Sequence, residues 1–473
     1  MIRRWLRSSR AKRGLAAGFV VLATGGLVLA RAPAITSSST FGVALGKNAS
    51  SFSGPGAHGT LALSQTKVLA TSGQTVFAEL RLKADESRSV DEARAPLSLA
   101  VVMDTSGSMS GEKIESAKRS VISLLRQMRD DDEVALVRYD TTNEVIQSLA
   151  RVGSVRQSLI ERVSQLTAGG GTNIPPALSQ GLSALSFSRS GRVRRVVLVS
   201  DGLDGGRTES ERLARAALDS QVTVSALGIG LDFDEGYMSS VASSGRGNFG
   251  FVQDSSALAR FLQRELEETA RTVVENARAK LELPPGARFV RAVGAEANNR
   301  GGDVELLLGS LFAGDERRVV IELQMDAEHG QSLPLRADVS WQRIGGDRTV
   351  AKLSELHVTG DTDADAVAAS RDGRVYASAL SATASWRQIA ATEAYTRGDT
   401  QGADKLLQQN LADLEVAAAA APAEEKASLR RQRDEVSDSQ NKFRSFAPGS
   451  APAKAASKDS AWRNSENLSR KKY

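Results

Sequence analysis

The stretch LSLAVVMDTSGSMS, residues 97–110, decides the fold. An apolar run of strand length ends at Asp104, and a helical pattern begins after Gly111. Such a run is typical of a strand that is buried on both faces of a parallel sheet. Sheets of this class bind their ligands at the carboxyl ends of the strands. The stretch therefore predicts an α/β fold with Asp104, Ser106 and Ser108 on a loop at the ligand-binding edge.

Two later segments extend this edge. Residues 169–173, GGGTN, open a second helical pattern, and the apolar run 196–199 is followed by Ser200-Asp201-Gly202. If the three loops meet, they bring together five hard oxygen donors, which suit Mg²⁺, Mn²⁺ or Ca²⁺ better than zinc or copper. These candidate metal ligands are Asp104, Ser106, Ser108, Thr172 and Asp201. Asp204, close to Asp201, is interpreted as a turn or rim residue.

The order Asp-x-Ser-x-Ser, then Thr, then Asp, on three loops, resembles the von Willebrand factor A (VWA) family and its metal-ion-dependent adhesion site. The resemblance implies a doubly wound, Rossmann-like domain that holds Mg²⁺ (or Mn²⁺ or Ca²⁺), with the two aspartates commonly acting through bound waters. It also implies a protein partner that offers an acidic side chain to the ion. No catalytic group is implied, and His58, His329 and His357 form no His-Glu-x-x-His zinc motif. We therefore expect no enzyme activity.

The pattern of apolar residues divides the rest of the chain. Strand-like and helix-like segments alternate over residues 96–271, which predicts one α/β VWA domain. Period-two patterns in residues 60–95 and 272–360 predict strands, and we expect these to form one β-sandwich in which the VWA domain is inserted. Inter-α-trypsin inhibitor heavy chains, and bacterial proteins described as calcium-activated chloride channel homologues, are similar in placing β structure beside such a domain. Residues 361–440 are predicted to be helical, with a hairpin at 390–420.

The two ends of the chain have a different composition. Basic residues precede the apolar run 14–30, so residues 1–34 are predicted to be a signal peptide or a membrane anchor, followed by a linker over 35–59. Residues 441–473 are predicted to be a disordered basic tail. The two basic ends account for the net charge of +5, and residues 14–440 sum to −7. This charge distribution argues against a basic nucleic-acid-binding face on the folded part, and we expect no nucleic-acid partner.

These features lead to a functional hypothesis. We expect an exported protein of bacterial type, periplasmic, membrane-anchored or extracellular, that binds a protein partner through a divalent ion. The alternative is a scaffold or accessory subunit of an envelope transporter, ATPase or channel-like complex. The sequence leaves open the identity of the ligand, the metal in vivo, the oligomeric state and the cleavage of the N-terminal segment.

Overall fold

The computed structural model describes residues 48–70, 72–86, 95–201, 204–229, 233–252 and 255–469. The predicted signal or anchor at residues 1–34, and residues 35–47 of the predicted linker, lie outside the described residues. Within the described ranges, no helix combines the length and apolar character that a membrane crossing requires.

The described ranges contain the following strands and α-helices, numbered in chain order. The strands are β1 Ala49–Gly54, β2 Ala57–Leu63, β3 Lys67–Leu69, β4 Gln74–Ala84, β5 Leu97–Asp104, β6 Glu133–Tyr139, β7 Asn143–Arg151, β8 Val193–Ser200, β9 Val222–Ile229, β10 Arg246–Val252, β11 Thr272–Glu282, β12 Ala287–Val293, β13 Glu296–Arg300, β14 Asp303–Phe312, β15 Glu316–Met325, β16 Ser332–Arg343, β17 Arg348–Lys352 and β18 Leu356–Asp361. The α-helices are α1 Glu112–Gln127, α2 Val152–Ser164, α3 Ile174–Leu185, α4 Arg207–Ala217, α5 Glu235–Ser244, α6 Ser255–Ala270, α7 Ala364–Ala369, α8 Gly373–Thr396, α9 Thr400–Ala420, α10 Ala423–Ser445 and α11 Ala451–Ser469.

The middle of the chain forms a doubly wound α/β layer. Its six-stranded sheet has the order β10-β9-β8-β5-β6-β7, parallel except for β7, which pairs antiparallel with β6 at the edge. Every residue of β5 is buried, because α1, α2 and α6 cover one face of the sheet while α3, α4 and α5 cover the other. The predicted α/β fold class is thereby confirmed.

Strands from both sides of the α/β layer share one β-sandwich. Its sheets have the orders β1-β2-β4-β15-β12 and β13-β14-β11-β16-β18-β3, with β17 added to β16. β4 pairs antiparallel with β15, and β3 pairs parallel with β18. The apolar faces of the two sheets pack around buried residues such as Leu80, Val339 and Trp341. The chain therefore completes the sandwich only after it has passed through the α/β layer, as the period-two patterns predict.

The ends of the inserted layer reach the same turn of the sandwich. The carbonyl of Asp85, before the insert, accepts a hydrogen bond from Gly314 N at 3.2 Å. The carbonyl of Arg271, after it, accepts one from Ala313 N at 2.8 Å. Because Ala313 and Gly314 are neighbours in the β14–β15 turn, the chain leaves and re-enters the sandwich at one place.

The helical region confirms one prediction and corrects another. α8 and α9 form the expected hairpin. The predicted disordered tail, residues 441–473, is wrong for its described part, since α10 extends to Ser445 and α11 occupies Ala451–Ser469. α11 packs against the α/β layer, and the composition of α11 alone does not predict that contact. Lys458 is 2% exposed, its Nζ lies 2.9 Å from Glu235 Oε2, and Trp462 packs against the α/β core.

The predicted linker is also wrong in part. Residues 49–59, expected to be linker because they are rich in Ser and Gly, form β1 and the start of β2. β1 pairs with β2 along its whole length and buries Phe52 in the sandwich core. Backbone pairing and one aromatic side chain are enough to hold an edge strand whose composition resembles a linker.

Candidate metal centre

Asp104 occupies the carboxyl end of β5, in the middle of the α/β sheet, and is fully buried. Its Oδ1 accepts a hydrogen bond from the backbone N–H of Ser106 at 2.7 Å, and its Oδ2 accepts one from the hydroxyl of Ser200 at 2.8 Å. Ser200 ends the neighbouring strand β8, so donors from two strand ends fix one carboxylate. Both donors are neutral, and neither offsets the negative charge of Asp104.

The loops after β5 and β8 meet through side chains. The hydroxyl oxygens of Ser106 and Ser108 lie 3.0 Å apart, and the hydroxyl of Ser108 donates to Asp201 Oδ1 at 2.7 Å. Asp201 is fully buried, whereas Ser108 is exposed. Two carboxylates therefore lie beneath a loop in which Ser108 is exposed to solvent and Ser106 is buried.

Thr172 lies on a third loop that is bound to the first through backbone groups. Gly169 N donates to Thr105 O at 2.8 Å, and Gly107 N donates to Gly170 O at 2.9 Å. Gly170 has a φ of 76°, and a Cβ there would lie 3.1 Å from the hydroxyl of Thr141, so glycine is required. Among the hydrogen bonds of the described residues, none joins the Thr172 side chain to the other candidates. The structure thus brings four of the five into one cluster and places the fifth on the adjoining loop.

Lys113, which the sequence analysis does not single out, also belongs to this cluster. It lies in the first turn of α1, and its Nζ is 2.5 Å from Asp201 Oδ2. The sequence did contain a signal for Lys113. A helix that begins directly after the serine loop places its first turn over the same strand end. Asp204 accepts hydrogen bonds from Ile174 N at 2.5 Å and Gly206 N at 2.8 Å, which agrees with its interpretation as a turn residue.

The electrostatics of the cluster favour a cation. Burial raises the pKa of Asp104, and the nearby carboxylate of Asp201 raises it further, against the lowering effect of the hydrogen bonds from Ser106 and Ser200. The same burial, with Asp104 close by, raises the pKa of the Tyr139 hydroxyl well above its usual value. Lys113 offsets one of the two negative charges. The excess negative charge is stabilised by any cation placed among the hydroxyl groups.

The donor set fits a hard divalent ion. Octahedral Mg²⁺ has oxygen ligands at about 2.0–2.1 Å, which places adjacent ligand atoms about 3 Å apart. The 3.0 Å between the Ser106 and Ser108 hydroxyl oxygens matches that spacing. No group of three or more His, Cys, Asp or Glu side chains in the described part of the chain could hold a metal, so the chemistry here rests on two carboxylates and neutral hydroxyls. Such donors suit Mg²⁺, Mn²⁺ or Ca²⁺.

Comparison with known proteins gives the class of this domain. Residues 98–264 match the model of the von Willebrand factor type A domain. The solved structure of a von Willebrand factor type A protein from Catenulispora acidiphila superposes with a TM-score of 0.63 at 20% identity, covering 83% of this chain and 91% of that one. The α/β layer is therefore a VWA domain with the Rossmann-like fold, and the likeness of fold extends over the sandwich.

Two relatives show how far the similarity reaches. An uncharacterised protein from Synechocystis sp. is 27% identical over 354 residues, which are 72% of this chain and 82% of that protein. Mouse inter alpha-trypsin inhibitor, heavy chain 4 is 26% identical over 187 residues, which are 37% of this chain and 20% of that protein. Similarity to the mouse protein is thus confined to a fraction of each chain.

Proposed function

We propose that this chain is an exported, non-enzymatic binding protein whose VWA domain holds Mg²⁺ (or Mn²⁺ or Ca²⁺) and through it captures an acidic side chain of a protein partner. Asp104, Ser106, Ser108, Thr172 and Asp201 would hold the ion, which would supply an electrophilic centre with a ligand position for a partner oxygen. The observation that carries the proposal is the placement of two fully buried carboxylates beneath the exposed Ser108 and the buried Ser106 at the carboxyl edge of the sheet.

The charged and the neutral residues have different roles at this site. Asp104 and Asp201 supply negative charge from below, while the serine and threonine hydroxyls can ligate without adding any charge. An ion held mainly by neutral oxygens keeps a strong attraction for a further carboxylate. Lys113 already shares Asp201, so it lowers the charge available to the ion and favours weak binding when no partner is present.

The exposure of the loops supports a macromolecular partner. Gly107, Ser108 and residues 169–171 are exposed, so a protein partner can approach the Ser108 hydroxyl. Small-molecule sites are usually concave and bury most of the ligand. The open surface therefore favours adhesion or another protein–protein contact over turnover of a small substrate.

The proposed location of the protein, in the cell envelope, depends on residues 1–34. Basic residues before the apolar run 14–30 would keep the N-terminus in the cytoplasm and send the remainder outward, with the membrane as a partner if the segment stays uncleaved. A reporter fused to the C-terminus should then be active outside the cytoplasm. Activity of that fusion inside the cytoplasm would contradict the export proposal.

Affinity capture tests the function directly. The tagged full chain, incubated with envelope extract, should retain a protein in Mg²⁺ and release it when the ion is chelated. Asp104→Asn should abolish retention, whereas Asp132→Asn, which changes a buried carboxylate at the amino end of the same sheet, should not. Retention that persists in chelator and in Asp104→Asn would contradict a metal-dependent contact.

A further inference from the structure

A cavity lies where the VWA domain, the β-sandwich and α8 meet. Its volume is about 370 Å³, and its lining includes Arg246 of β10, Gly294 of the β12–β13 turn and Trp386 of α8. This volume falls in the range of roughly 300–1,000 Å³ that is usual for small-molecule sites. Arg246 begins β10, so the cavity is at the amino edge of the parallel sheet, opposite the metal centre.

Arg246 is buried at this cavity and makes no direct ion pair, although the carboxylates of Glu296 and Asp315 are near enough to raise its pKa. Its side chain is 8% exposed, and its backbone has a φ of 55°, in the left-handed region that favours glycine. In the described part of the chain, its Nε donates one long hydrogen bond, 3.5 Å to Leu308 O, and no carboxylate lies within ion-pair distance. A buried charge of this kind is costly unless it is paired. The strained backbone and the missing direct ion pair point to a ligand.

The sandwich is shaped to admit this side chain. Gly309 of β14 has a φ of 77°, and a Cβ there would lie 2.7 Å from the Cβ of Arg246. Arg317 of β15 lines the same cavity and is 7% exposed. Burial, together with the positive charge of Arg317, lowers the pKa of Arg246 to about 9. Arg317 lies 3.6 Å from the buried carboxylate of Asp315. Two buried guanidinium groups are thus balanced by one buried carboxylate, which leaves an excess positive charge at the inner end of the cavity.

The carboxylates that line the cavity already have partners. Glu296 lies 3.0 Å from Arg215, while Arg207 lies 2.8 Å from Glu211 and 3.3 Å from Glu393. Glu393 also lies 3.8 Å from Arg397, so the three carboxylates of the outer wall face three guanidinium groups. These carboxylates form no direct ion pair with Arg246.

We propose that this cavity binds a small oxyanion, a phosphate or a carboxylate group, on the guanidinium of Arg246. The hydroxyl groups of Ser239 and Ser243 of α5 can donate further hydrogen bonds along the same wall. A ligand there would touch both the VWA domain and the sandwich, so it would hold the two together. The site is separate from the metal centre and does not depend on it.

Calorimetry on the purified, metal-free full chain tests this site, with inorganic phosphate and succinate as probes. Binding of phosphate alone would identify a phosphate ligand, binding of succinate alone a carboxylate ligand, and binding of both a general oxyanion site. Arg246→Met should weaken binding about 10-fold or more, because it removes charge-assisted hydrogen bonds. If the wild-type chain binds neither probe, the proposal is wrong.

A second pair of variants protects the test against misfolding of Arg246→Met. Ser243 lines the cavity and is exposed, so substitutions there should leave the protein folded. Ser243→Glu should weaken binding of the anion by electrostatic repulsion. The neutral Ser243→Gln should bind the anion within about twofold of the wild-type affinity. Arg212→Met removes an exposed arginine paired with Glu209 outside the cavity and should change nothing. Equal affinity in Ser243→Glu and Ser243→Gln would contradict binding in this cavity, as would loss of affinity in Arg212→Met.

Discussion

Two clusters of buried charge in the VWA domain have opposite arrangements. At the metal centre, Asp104 and Asp201 are fully buried and Lys113 is the cation that the structure places against them. At the contact with α11, Lys458 lies between Glu235 Oε2 at 2.9 Å and Phe233 O at 2.8 Å, with the Phe233 ring 3.9 Å from its Nζ. The second cluster is balanced and closed, while the first is unbalanced and open. Balanced burial indicates a structural contact, and an unbalanced charge beside solvent indicates a ligand.

The largest effect is expected at the balanced cluster. Lys458→Met leaves Glu235 buried and unpaired, so it should lower the free energy of unfolding by about 3–5 kcal/mol in urea denaturation. The double variant Lys458→Met/Glu235→Gln should recover a large part of that loss. Arg463→Met, which removes an exposed pair with Asp459 on the same helix, should cost less than about 1 kcal/mol. A loss in Lys458→Met no larger than in Arg463→Met would break the comparison.

The next effect concerns Lys113, the cation that pairs with Asp201 among the described residues of the metal centre. Lys113→Met removes a positive charge from Asp201 and should strengthen Mn²⁺ binding about 10-fold in calorimetry, because the ion no longer shares that carboxylate. Lys118→Met, on the same helix, removes a lysine that pairs with Glu115 and serves as the control. Unchanged or weaker Mn²⁺ binding in Lys113→Met would mean that Lys113 positions Asp201 and does not compete with the ion.

A smaller effect distinguishes the two clusters in the absence of metal. Because burial and Asp201 raise the pKa of Asp104, the ionised carboxylate weakens the folded state at neutral pH. In metal-free buffer, the free energy of unfolding of Asp104→Asn should therefore be within about 1 kcal/mol of the wild-type value, or higher than it. A loss comparable to that of Lys458→Met would show that Asp104 is a structural residue.

The smallest effect is expected at a partly exposed pair in the sandwich. The Lys67 ammonium, 2.8 Å away, and the backbone N–H of Asp363 lower the pKa of Asp361 to about 2, well below its value of about 4 in the unfolded chain. The pair therefore stabilises the fold above pH ~4, and this contribution is lost as the pH falls through about 2. Asp361→Asn should lower the urea midpoint at pH 6, and the difference from wild type should shrink towards pH 3. A difference that stays constant with pH would contradict the assignment.

The sequence predicted the parts of the molecule whose signals are local. The buried run of β5 and the serine loop after it specify a strand end and its polar loop, so Asp104, Ser106, Ser108 and Asp201 could be placed together. Elements held by distant partners were not predictable in this way. α11 is rich in Ser, Ala and Lys, and its order depends on Glu235 and Phe233, more than 220 residues earlier in the chain. Arg246 and Arg317 likewise come together only after the sandwich closes around the insert.

Calorimetric titration of Mg²⁺ or Mn²⁺ into the full chain tests the central claim most directly. The wild type should bind one ion, and Asp104→Asn should weaken binding by about 10–100-fold, because loss of an outer-shell partner typically costs that much. Asp132→Asn, at the opposite end of the sheet, should bind as the wild type does. Equal affinity in the wild type and Asp104→Asn, with both proteins folded, would contradict the assignment of this edge as the metal centre.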